Sequence, residues 1–404
     1  MPNGQSRHLT IVPSHHRIGL VSTYPPKLCG LATFAAALED GFTRAGHHVD
    51  IVRIVDRDDA PVVGRPVTAE LINGNPASLQ RAAVILSTCD VAVVQHEYGI
   101  YGGADGAEII DLLDALRVPA IVVLHTVPLH PTTHQRELLG LIGDRADHLV
   151  VMANAARERL LALYRVDATK VVTIPHGAAS PPDDARDPFT RITTSGRDGL
   201  TRVGDDHPQL LTWGLLGPGK GVEHVIDALV TLRDVRPSPR YTIAGVTHPK
   251  VLARDGNAYR ESLIARAVTS GVADSVVFDD TYRNVSQLTR FVTSADIVVL
   301  PYDSRDQVTS GVLVDAIAAG RPVVATAFPH AVEMLGSGAG IVVPHGDAAA
   351  LGDALRTVLG DAGLLASMAA EARRLAPTVS WSSVAARYVA LVDGLVLARE
   401  AVAI

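Results

Sequence analysis

The stretch of sequence that decides the fold is Gln307-Val308-Thr309-Ser310-Gly311-Val312-Leu313-Val314-Asp315-Ala316-Ile317-Ala318-Ala319-Gly320, which lies between apolar runs that end at Leu300 and begin at Val323. Thr309 or Ser310 suits the N-cap of a helix, and Gly320 suits the first position beyond its C-cap. The pattern therefore predicts a strand, a short helix that begins at Gly311, and a second strand.

The start of this predicted helix is a candidate anion site. Gly311 allows a ligand to approach the backbone, where unpaired N–H groups and the helix dipole favour negative charge. Asp315 lies one turn further along, and its carboxylate repels phosphate but can accept hydrogen bonds from sugar hydroxyls. The alternative is an ordinary capped helix with Asp315 in solvent, and this stretch alone does not decide between the two.

The same alternation of apolar runs and helix-like segments extends along the whole chain. The predicted strands are 17–21, 49–54, 91–95, 120–124, 148–152 and 171–174 in the first half, and 210–213, 241–244, 276–278, 297–300, 323–325 and 340–343 in the second. Near-continuous apolar strands separated by helices predict parallel sheets covered on both faces. We therefore expect an α/β protein with two doubly wound domains, whose ligands lie at the carboxyl ends of the strands.

The composition agrees with two globular domains. Of 404 residues, 47% are hydrophobic and 20% are charged, and such a chain is too long for one ordinary core. The net charge of -7 argues against a general affinity for nucleic acid or anionic membranes. The two cysteines, Cys29 and Cys89, lie far apart, which suits a reducing compartment.

The two ends and the middle of the chain are predicted to lie outside the sheets. Residues 1–16 are polar and are expected to form a flexible tail, while 181–209 lack periodicity and are expected to form a linker. A long amphipathic helix is predicted from Ser382 to about Arg399. No uninterrupted apolar stretch is predicted to be long enough to cross a bilayer, so a cytoplasmic protein without a transmembrane segment is expected.

The stretch from Gln307 to Gly320 resembles the signature of retaining GT-B glycosyltransferases of glycosyltransferase family 4. In that family two glutamates, separated by seven residues, accompany an Ala-rich helix that ends in Gly. The matching positions here are Gln307 and Asp315, and both depart from the usual acid. The resemblance implies that Asp315 binds the donor ribose with a shorter reach, and that Gln307 hydrogen-bonds hydroxyls of the transferred sugar.

The resemblance extends from about residue 17 to about residue 394 and implies an architecture. Residues 17–180 would form an N-terminal Rossmann-like acceptor domain, and 210–380 a C-terminal Rossmann-like donor domain, with the two facing a cleft. The helix within 381–404 would cross back to pack on the first domain. Ile174-Pro175-His176-Gly177 matches the end of the first domain and is interpreted as structural, whereas Glu333 matches a family glutamate that could equally form a local cap.

Glycine-rich loops in the second half are candidate donor contacts. Gly214-Leu215-Leu216-Gly217-Pro218-Gly219-Lys220-Gly221 follows a predicted strand and suits a diphosphate, with Gly217 and Gly219 opening the backbone and Lys220 supplying charge. The family's phosphate loop has an arginine where this chain has Leu215. Gly245 ends the next strand and is expected to line the nucleotide pocket.

Candidate residues in the first half follow the same logic. Cys29 and Gly30 belong to a loop that resembles the family's loop against donor phosphate and acceptor, with Cys29 in place of a common glycine. His125 ends a strand where family members place a histidine beside the transferred sugar. His96 and Glu97 end the preceding strand and are expected to face the acceptor. A metal site made of His96, Glu97 and His125 is not favoured, because their spacing is not of the metal-ligand type.

The resemblance implies transfer of a hexosyl group from a nucleotide diphosphate sugar, of the GDP-mannose or UDP-glucose type, with retention of configuration. His125, Lys220 and Gln307 would be catalytic, and Thr309, Ser310, Gly311 and Asp315 would bind the donor. The nucleotide sugar would be a co-substrate, no cofactor or metal is expected, and the acceptor would be a small molecule, a glycan or a lipid-linked sugar. The alternatives left open are a sugar-nucleotide epimerase and a non-catalytic nucleotide-sugar-binding protein.

Overall fold

The computed structural model describes residues 15–27, 29–57, 59–61, 64, 66–181, 207–281 and 283–402. Nearly all of the predicted tail (1–16) and of the predicted linker (181–209) lies outside the described residues. The described chain forms two β-sheets with helices between their strands.

The first sheet has seven strands in the order β3-β2-β1-β4-β5-β6-β7. Their bounds are β1 Arg17–Ser22, β2 His48–Val55, β3 Val67–Ile72, β4 Val91–His96, β5 Ala120–Leu124, β6 His148–Val151 and β7 Val171–Thr173. Strand β1 pairs in parallel with both β2 and β4. The chain therefore winds outward from β1 in one direction and from β4 in the other, which is the doubly wound order predicted from the sequence.

The second sheet has six strands in the order β10-β9-β8-β11-β12-β13, and its neighbouring strands are all parallel. Their bounds are β8 Gln209–Trp213, β9 Arg240–Ala244, β10 Val276–Asp279, β11 Ile297–Leu300, β12 Val323–Thr326 and β13 Gly340–Val343. Leu211 and Val298 belong to a core on one face, and Leu210 and Ile297 to a core on the other. Burial on both faces explains why these strands have near-continuous apolar sequences.

Fourteen α-helices lie in the described part of the chain. They are α1 Gly30–Arg44, α2 Pro76–Leu86, α3 Glu108–Ala115, α4 Thr133–Arg145, α5 Asn154–Leu163, α6 Val222–Thr231, α7 Pro249–Asp255, α8 Ala258–Thr269, α9 Val285–Ser294, α10 Gly311–Ala318, α11 Pro329–Leu335, α12 Ala348–Gly360, α13 Ala362–Leu375 and α14 Trp381–Val402. Each of the twelve predicted strands is present within two residues of its predicted ends, whereas β3 was not predicted.

The chain divides into two compact units. One unit consists of residues 1–123, 137–149 and 385–404, and the other of 124–136 and 150–384. Residues 124–136 and 150–180 belong to the unit that contains the second sheet, so these units do not follow the predicted domains at 17–180 and 210–380. The domain boundaries stay a prediction.

Helix α14 from residue 385 onward belongs to the same compact unit as α1. Its Tyr388 ring packs edge-on against Phe42 of α1, with centroids 6.2 Å apart, and its Asp393 accepts a 2.5 Å hydrogen bond from His16. By length and composition alone, Trp381–Ala401 could also cross a membrane, contrary to the expectation that no stretch is long enough. This is weak evidence for a membrane span, because core helices of globular proteins meet the same criterion.

Candidate functional site

The candidate site in the unit of the second sheet lies where β8 and β11 are neighbours. The chain reverses its winding direction between these two strands, and ligands of doubly wound sheets bind at such a point. The loop after β8 ends in Gly221, which has φ 66°, and a Cβ there would lie 1.8 Å from the Pro301 carbonyl oxygen after β11. The Asp303 amide also donates to the Gly219 carbonyl at 3.0 Å. The glycine loop and the stretch before α10 are therefore adjacent.

Lys220 is a half-buried cation at this position. Its Nζ lies 4.7 Å from the centroid of the Tyr302 ring, and Tyr302 is only 2% exposed. Burial lowers the pKa of Lys220, and among the described residues no carboxylate forms an ion pair with it. A partly desolvated ammonium without a counterion is stabilised by an anionic ligand.

The first turn of α10 leaves backbone donors for such a ligand, but not all of those predicted. Ser310 is the N-cap, and its Oγ accepts a 3.2 Å hydrogen bond from the Leu313 amide. The Ser310 amide itself donates to Nδ1 of His330 at 2.9 Å, so this amide already has a protein partner, and the binding of the donor by Ser310 stays a prediction. The amides of Gly311 and Val312 are the donors without a partner in the described chain.

Two histidines lie at the start of α10, and sequence reasoning assigned neither to the site. Because His330 accepts at Nδ1, its proton is assigned to Nε2. His176 shares a 2.7 Å hydrogen bond between its Nδ1 and the Gly177 carbonyl, and its ring lies 5.9 Å from that of Trp381. Burial lowers the pKa of each histidine to about 4, so both are neutral at pH 7.

The position of His176 explains why glycine is suited to the start of α10. A Cβ on Gly311 would lie 3.2 Å from both Cε1 and Nε2 of the His176 ring. The sequence analysis interpreted the Ile174–Gly177 stretch as structural only, whereas the structure brings His176 against the helix start. No spacing in the sequence links residues 176, 311 and 330, so this grouping was not predictable from the motifs.

We expect Gly311→Ala to weaken binding of a nucleoside diphosphate about tenfold, because the added methyl group must displace the His176 ring beside the two unpaired amides. Isothermal titration with UDP and GDP measures this loss. Gly360→Ala in α12 is the matched control, since nothing lies within 4 Å of a Cβ at Gly360. Unchanged affinity in Gly311→Ala would show that the ligand does not approach this turn.

Asp315 lies within the site, but its side chain is not simply the ionised carboxylate that the sequence analysis expects. Its side chain is half-buried, and burial raises its pKa to about 7. The same carboxyl group acts electrostatically on the Tyr302 hydroxyl, which places it near the ring that covers Lys220. At neutral pH Asp315 is therefore divided between a form that accepts hydrogen bonds from hydroxyls and a form that can also donate one.

Gln307, Thr309 and Gly245 complete the donor candidates of this unit. The Gln307 side-chain amide donates to the Thr309 carbonyl at 3.2 Å, so it is directed back into its own loop. A Cβ on Gly245 would lie 2.0 Å from the Gly214 carbonyl oxygen, which shows that the loops after β8 and β9 are tightly packed. Gly217 is buried and Gly219 is exposed in the same β8 loop.

Glu333 acts as a helix cap and not as a ligand-facing acid in this structure. Its Oε1 accepts from the amide and side-chain Nδ2 of Asn154, and its Oε2 accepts from the Ala155 amide, at 2.9 to 3.0 Å. It therefore supplies the acidic partner at the start of α5, whose own N-cap Ala153 provides no side-chain bond. The capping alternative in the sequence analysis is the one observed, but the partner is distant in sequence.

The first-half candidates lie at the start of α1 and at the end of β4. In the unit of residues 1–123, Cys29 is the N-cap of α1 and its Sγ accepts from the Ala32 amide at 3.4 Å. Gly30 has open space around a would-be Cβ. His96 is fully buried at the end of β4, neither ring nitrogen has a hydrogen-bond partner in the described chain, and burial lowers its pKa to about 4. Glu97 accepts from the Tyr98 amide at 3.0 Å.

His125 follows β5 and belongs to the same unit as Lys220. It is half-buried, at the strand end where the sequence analysis expects it.

Among the described residues, the group that could hold a metal ion is Glu223, His224 and Asp303, whose ligand atoms lie within 4.8 Å of one another. His224 is already 2.9 Å from Asp303, and Glu223 accepts from the Tyr259 hydroxyl, so these side chains are satisfied by protein partners.

Comparisons with known proteins connect this geometry to a family. A model described as glycosyl transferases group 1 matches residues 201–375, and one described as Glycosyltransferase Family 4 matches 29–179. The chain is 28% identical over 306 residues to a D-inositol 3-phosphate glycosyltransferase of Jonesia denitrificans, which covers 69% of this chain and 67% of the relative. It is 26% identical over 283 residues to an alpha-D-kanosaminyltransferase of Streptomyces kanamyceticus, covering 67% and 69%.

Solved structures show the same fold. Sucrose-phosphate synthase from Thermosynechococcus elongatus has a TM-score of 0.71 at 17% identity, covering 95% of this chain and all of that chain. HepE from Anabaena in complex with UDP has a TM-score of 0.72 at 16% identity, covering 94% of this chain and all of that chain. The matches to named glycosyltransferases favour a transferase over the epimerase and the non-catalytic binding protein left open by the sequence.

Proposed function

This chain belongs to glycosyltransferase family 4, and from that premise we propose that it transfers a hexosyl group from a nucleotide diphosphate sugar to a hydroxyl acceptor with retention of anomeric configuration. The donor would be of the UDP-glucose or GDP-mannose type, the acceptor a small molecule, a glycan or a lipid-linked sugar, and the location cytoplasmic. Two observations carry the proposal: Lys220 is half-buried without an ion pair in the described chain, and two backbone amides at the start of α10 have no partner there.

The diphosphate would bind at the start of α10. The amides of Gly311 and Val312 would donate to its oxygens, and Lys220 would supply the positive charge that the Leu215 position lacks. His330 would keep the Ser310 amide satisfied, which leaves the two following amides directed at the ligand. Asp315 in its ionised form would accept from the ribose hydroxyls.

The transfer step would use the departing group as its own base. The bond between the anomeric carbon and the diphosphate oxygen breaks, and a bond from that carbon to the acceptor oxygen forms on the same face of the sugar. The acceptor hydroxyl proton moves to the departing phosphate oxygen, so no protein base is consumed. Lys220 and the α10 amides stabilise the negative charge that develops on the diphosphate, while His125 and Gln307 orient the sugar.

A panel of nucleotides tests the donor assignment. We expect UDP or GDP, with its matching sugar nucleotide, to raise the melting temperature, because a ligand at 100 times its Kd adds about 2.7 kcal/mol of stability. The same panel in the presence of EDTA tests the proposed independence from metals. Release of nucleoside diphosphate from UDP-glucose or GDP-mannose, measured with and without candidate acceptors, tests transfer. Absence of both stabilisation and release across the panel would contradict the proposed function.

A further inference from the structure

We propose that Arg159 is a positioning residue of the transfer reaction, because one of its guanidinium nitrogens joins the loop that follows His125 to the loop that carries Gln307. This inference rests on the proposed function, in which those two side chains orient the transferred sugar. Neither the sequence motifs nor the family resemblance assigned a role to Arg159.

The joining contacts involve a single atom. Nη1 of Arg159 donates to the Val127 carbonyl at 3.1 Å and to the Asp306 carbonyl at 2.7 Å. Val127 lies two residues after His125, and Asp306 immediately precedes Gln307. These segments belong to one compact unit of the chain, although residues 127 and 306 are far apart in sequence. The relative position of the two loops is therefore linked directly through this guanidinium group.

Helix α5 holds Arg159 in place at both ends. At its start, the Glu333 carboxylate binds the amides of Asn154 and Ala155. Immediately after its end, the Tyr164 hydroxyl donates to the Pro128 carbonyl at 2.8 Å. A helix fixed in this way presents Arg159 from a defined position, so the side chain acts as a rigid link and not as a mobile surface group.

The charge state of Arg159 suits this role. Burial lowers the pKa of the guanidinium group, and the Asp306 carboxylate acts in the opposite direction, but an arginine remains charged under all ordinary conditions. Its partners in the described chain are backbone carbonyls, and hydrogen bonds from a charged donor to carbonyls are stronger than neutral ones.

Near Gln307, the loop that carries this residue has few other short hydrogen bonds to the rest of the described chain. The Gln307 amide donates to Thr309 at 3.2 Å, and the Gln307 carbonyl accepts from the His330 amide at 3.4 Å. The 2.7 Å bond from Arg159 to Asp306 is shorter than either. Since a displacement of about 1 Å in a sugar-orienting group can cost about a hundredfold in rate, loss of this tie is expected to affect turnover more than donor binding.

The test compares Arg159→Gln, Arg159→Lys and Arg159→Ala with Arg165→Gln, in which the replaced arginine is exposed just beyond α5. Turnover is measured as hydrolysis of whichever donor, UDP-glucose or GDP-mannose, stabilises the wild-type protein. We expect Arg159→Gln to lower kcat 10- to 100-fold. The KM for the donor should change little, as should the rise in melting temperature that the nucleoside diphosphate causes. Guanidinium ion at millimolar concentration should restore part of the kcat of Arg159→Ala, and Arg165→Gln should match the wild type.

The possible failures are distinguishable. Wild-type kcat in Arg159→Gln would overturn the positioning role. A parallel loss of kcat and of nucleoside diphosphate binding in both Arg159→Gln and Arg159→Lys would also overturn it, because Arg159 would then support the fold of the whole site. A wild-type protein that binds and cleaves neither donor would instead contradict the proposed function itself.

Discussion

Lys220→Ala is expected to lower the turnover of the donor by about three orders of magnitude while the protein stays folded. In the proposed mechanism the Lys220 ammonium group supplies the charge opposite the departing diphosphate, and removal of one preorganised donor to a developing anion costs about 10² to 10³ in kcat. The larger figure is expected here because the loop has Leu215 where the family has an arginine, so no second loop cation compensates.

The fold should tolerate this change because Lys220 contributes little to it. Its side chain makes a cation–π contact with Tyr302 but no ion pair with a carboxylate in the described chain, and its burial is unfavourable for the charge. Removal of the ammonium group is therefore expected to leave the melting temperature unchanged or slightly raised.

The measurement is kcat for donor cleavage, together with the melting temperature in the absence of ligand. Lys250→Ala is the matched control, since Lys250 lies in the same unit on α7 and is exposed. Turnover within about tenfold of the wild type in Lys220→Ala would contradict the assignment of the diphosphate site. Turnover equally low in Lys250→Ala would point to a general charge effect.

The parts of the fold that were predictable are those encoded in local patterns. Strands 120–124, 297–300 and 340–343 were predicted with the bounds that the structure has, because continuous apolar runs indicate strands buried on both faces. The N-cap at Ser310 and the helix start at Gly311 follow from equally local capping preferences. Strand β3 was missed because Val67–Ile72 carries Thr68, Ala69 and Glu70 in its middle and lies at the edge of its sheet.

The parts of the site that were not predictable depend on partners distant in sequence. The Ser310 amide binds His330, and the start of α5 is capped by Glu333, which lies 179 residues after Asn154. A motif identifies which residues start a helix. It does not identify which side chain from another element accepts hydrogen bonds from the backbone amides at that helix start. The protonation state of Asp315 was not predicted for a related reason. The pKa of a carboxyl group depends on its burial, and this burial is created by the fold.

The stability of the protein is expected to fall steeply as the pH is lowered from 6.5 to 4. Burial lowers the pKa of His96, His176 and His330 from the usual value of 6.5 to about 4. Between these pH values the unfolded chain binds protons at these positions and the folded chain does not, so acid favours unfolding. Asp315 acts in the opposite direction, because its pKa is raised from 3.8 to about 7 and the folded chain retains its proton in this range.

For these four groups the net difference between the unfolded and the folded chain is about two protons, and His47, whose pKa burial also lowers, acts in the same direction as the other histidines. With about 1.4 kcal/mol per proton and pH unit, the free energy of unfolding should rise by roughly 2 to 3 kcal/mol per pH unit near pH 5, and less steeply toward pH 4 and pH 6.5. Urea denaturation at several pH values measures this slope, and His330→Gln should reduce it by about 1.4 kcal/mol per pH unit. A stability that is flat across this range would contradict the lowered histidine pKa values, because these require the folded chain to bind fewer protons than the unfolded chain.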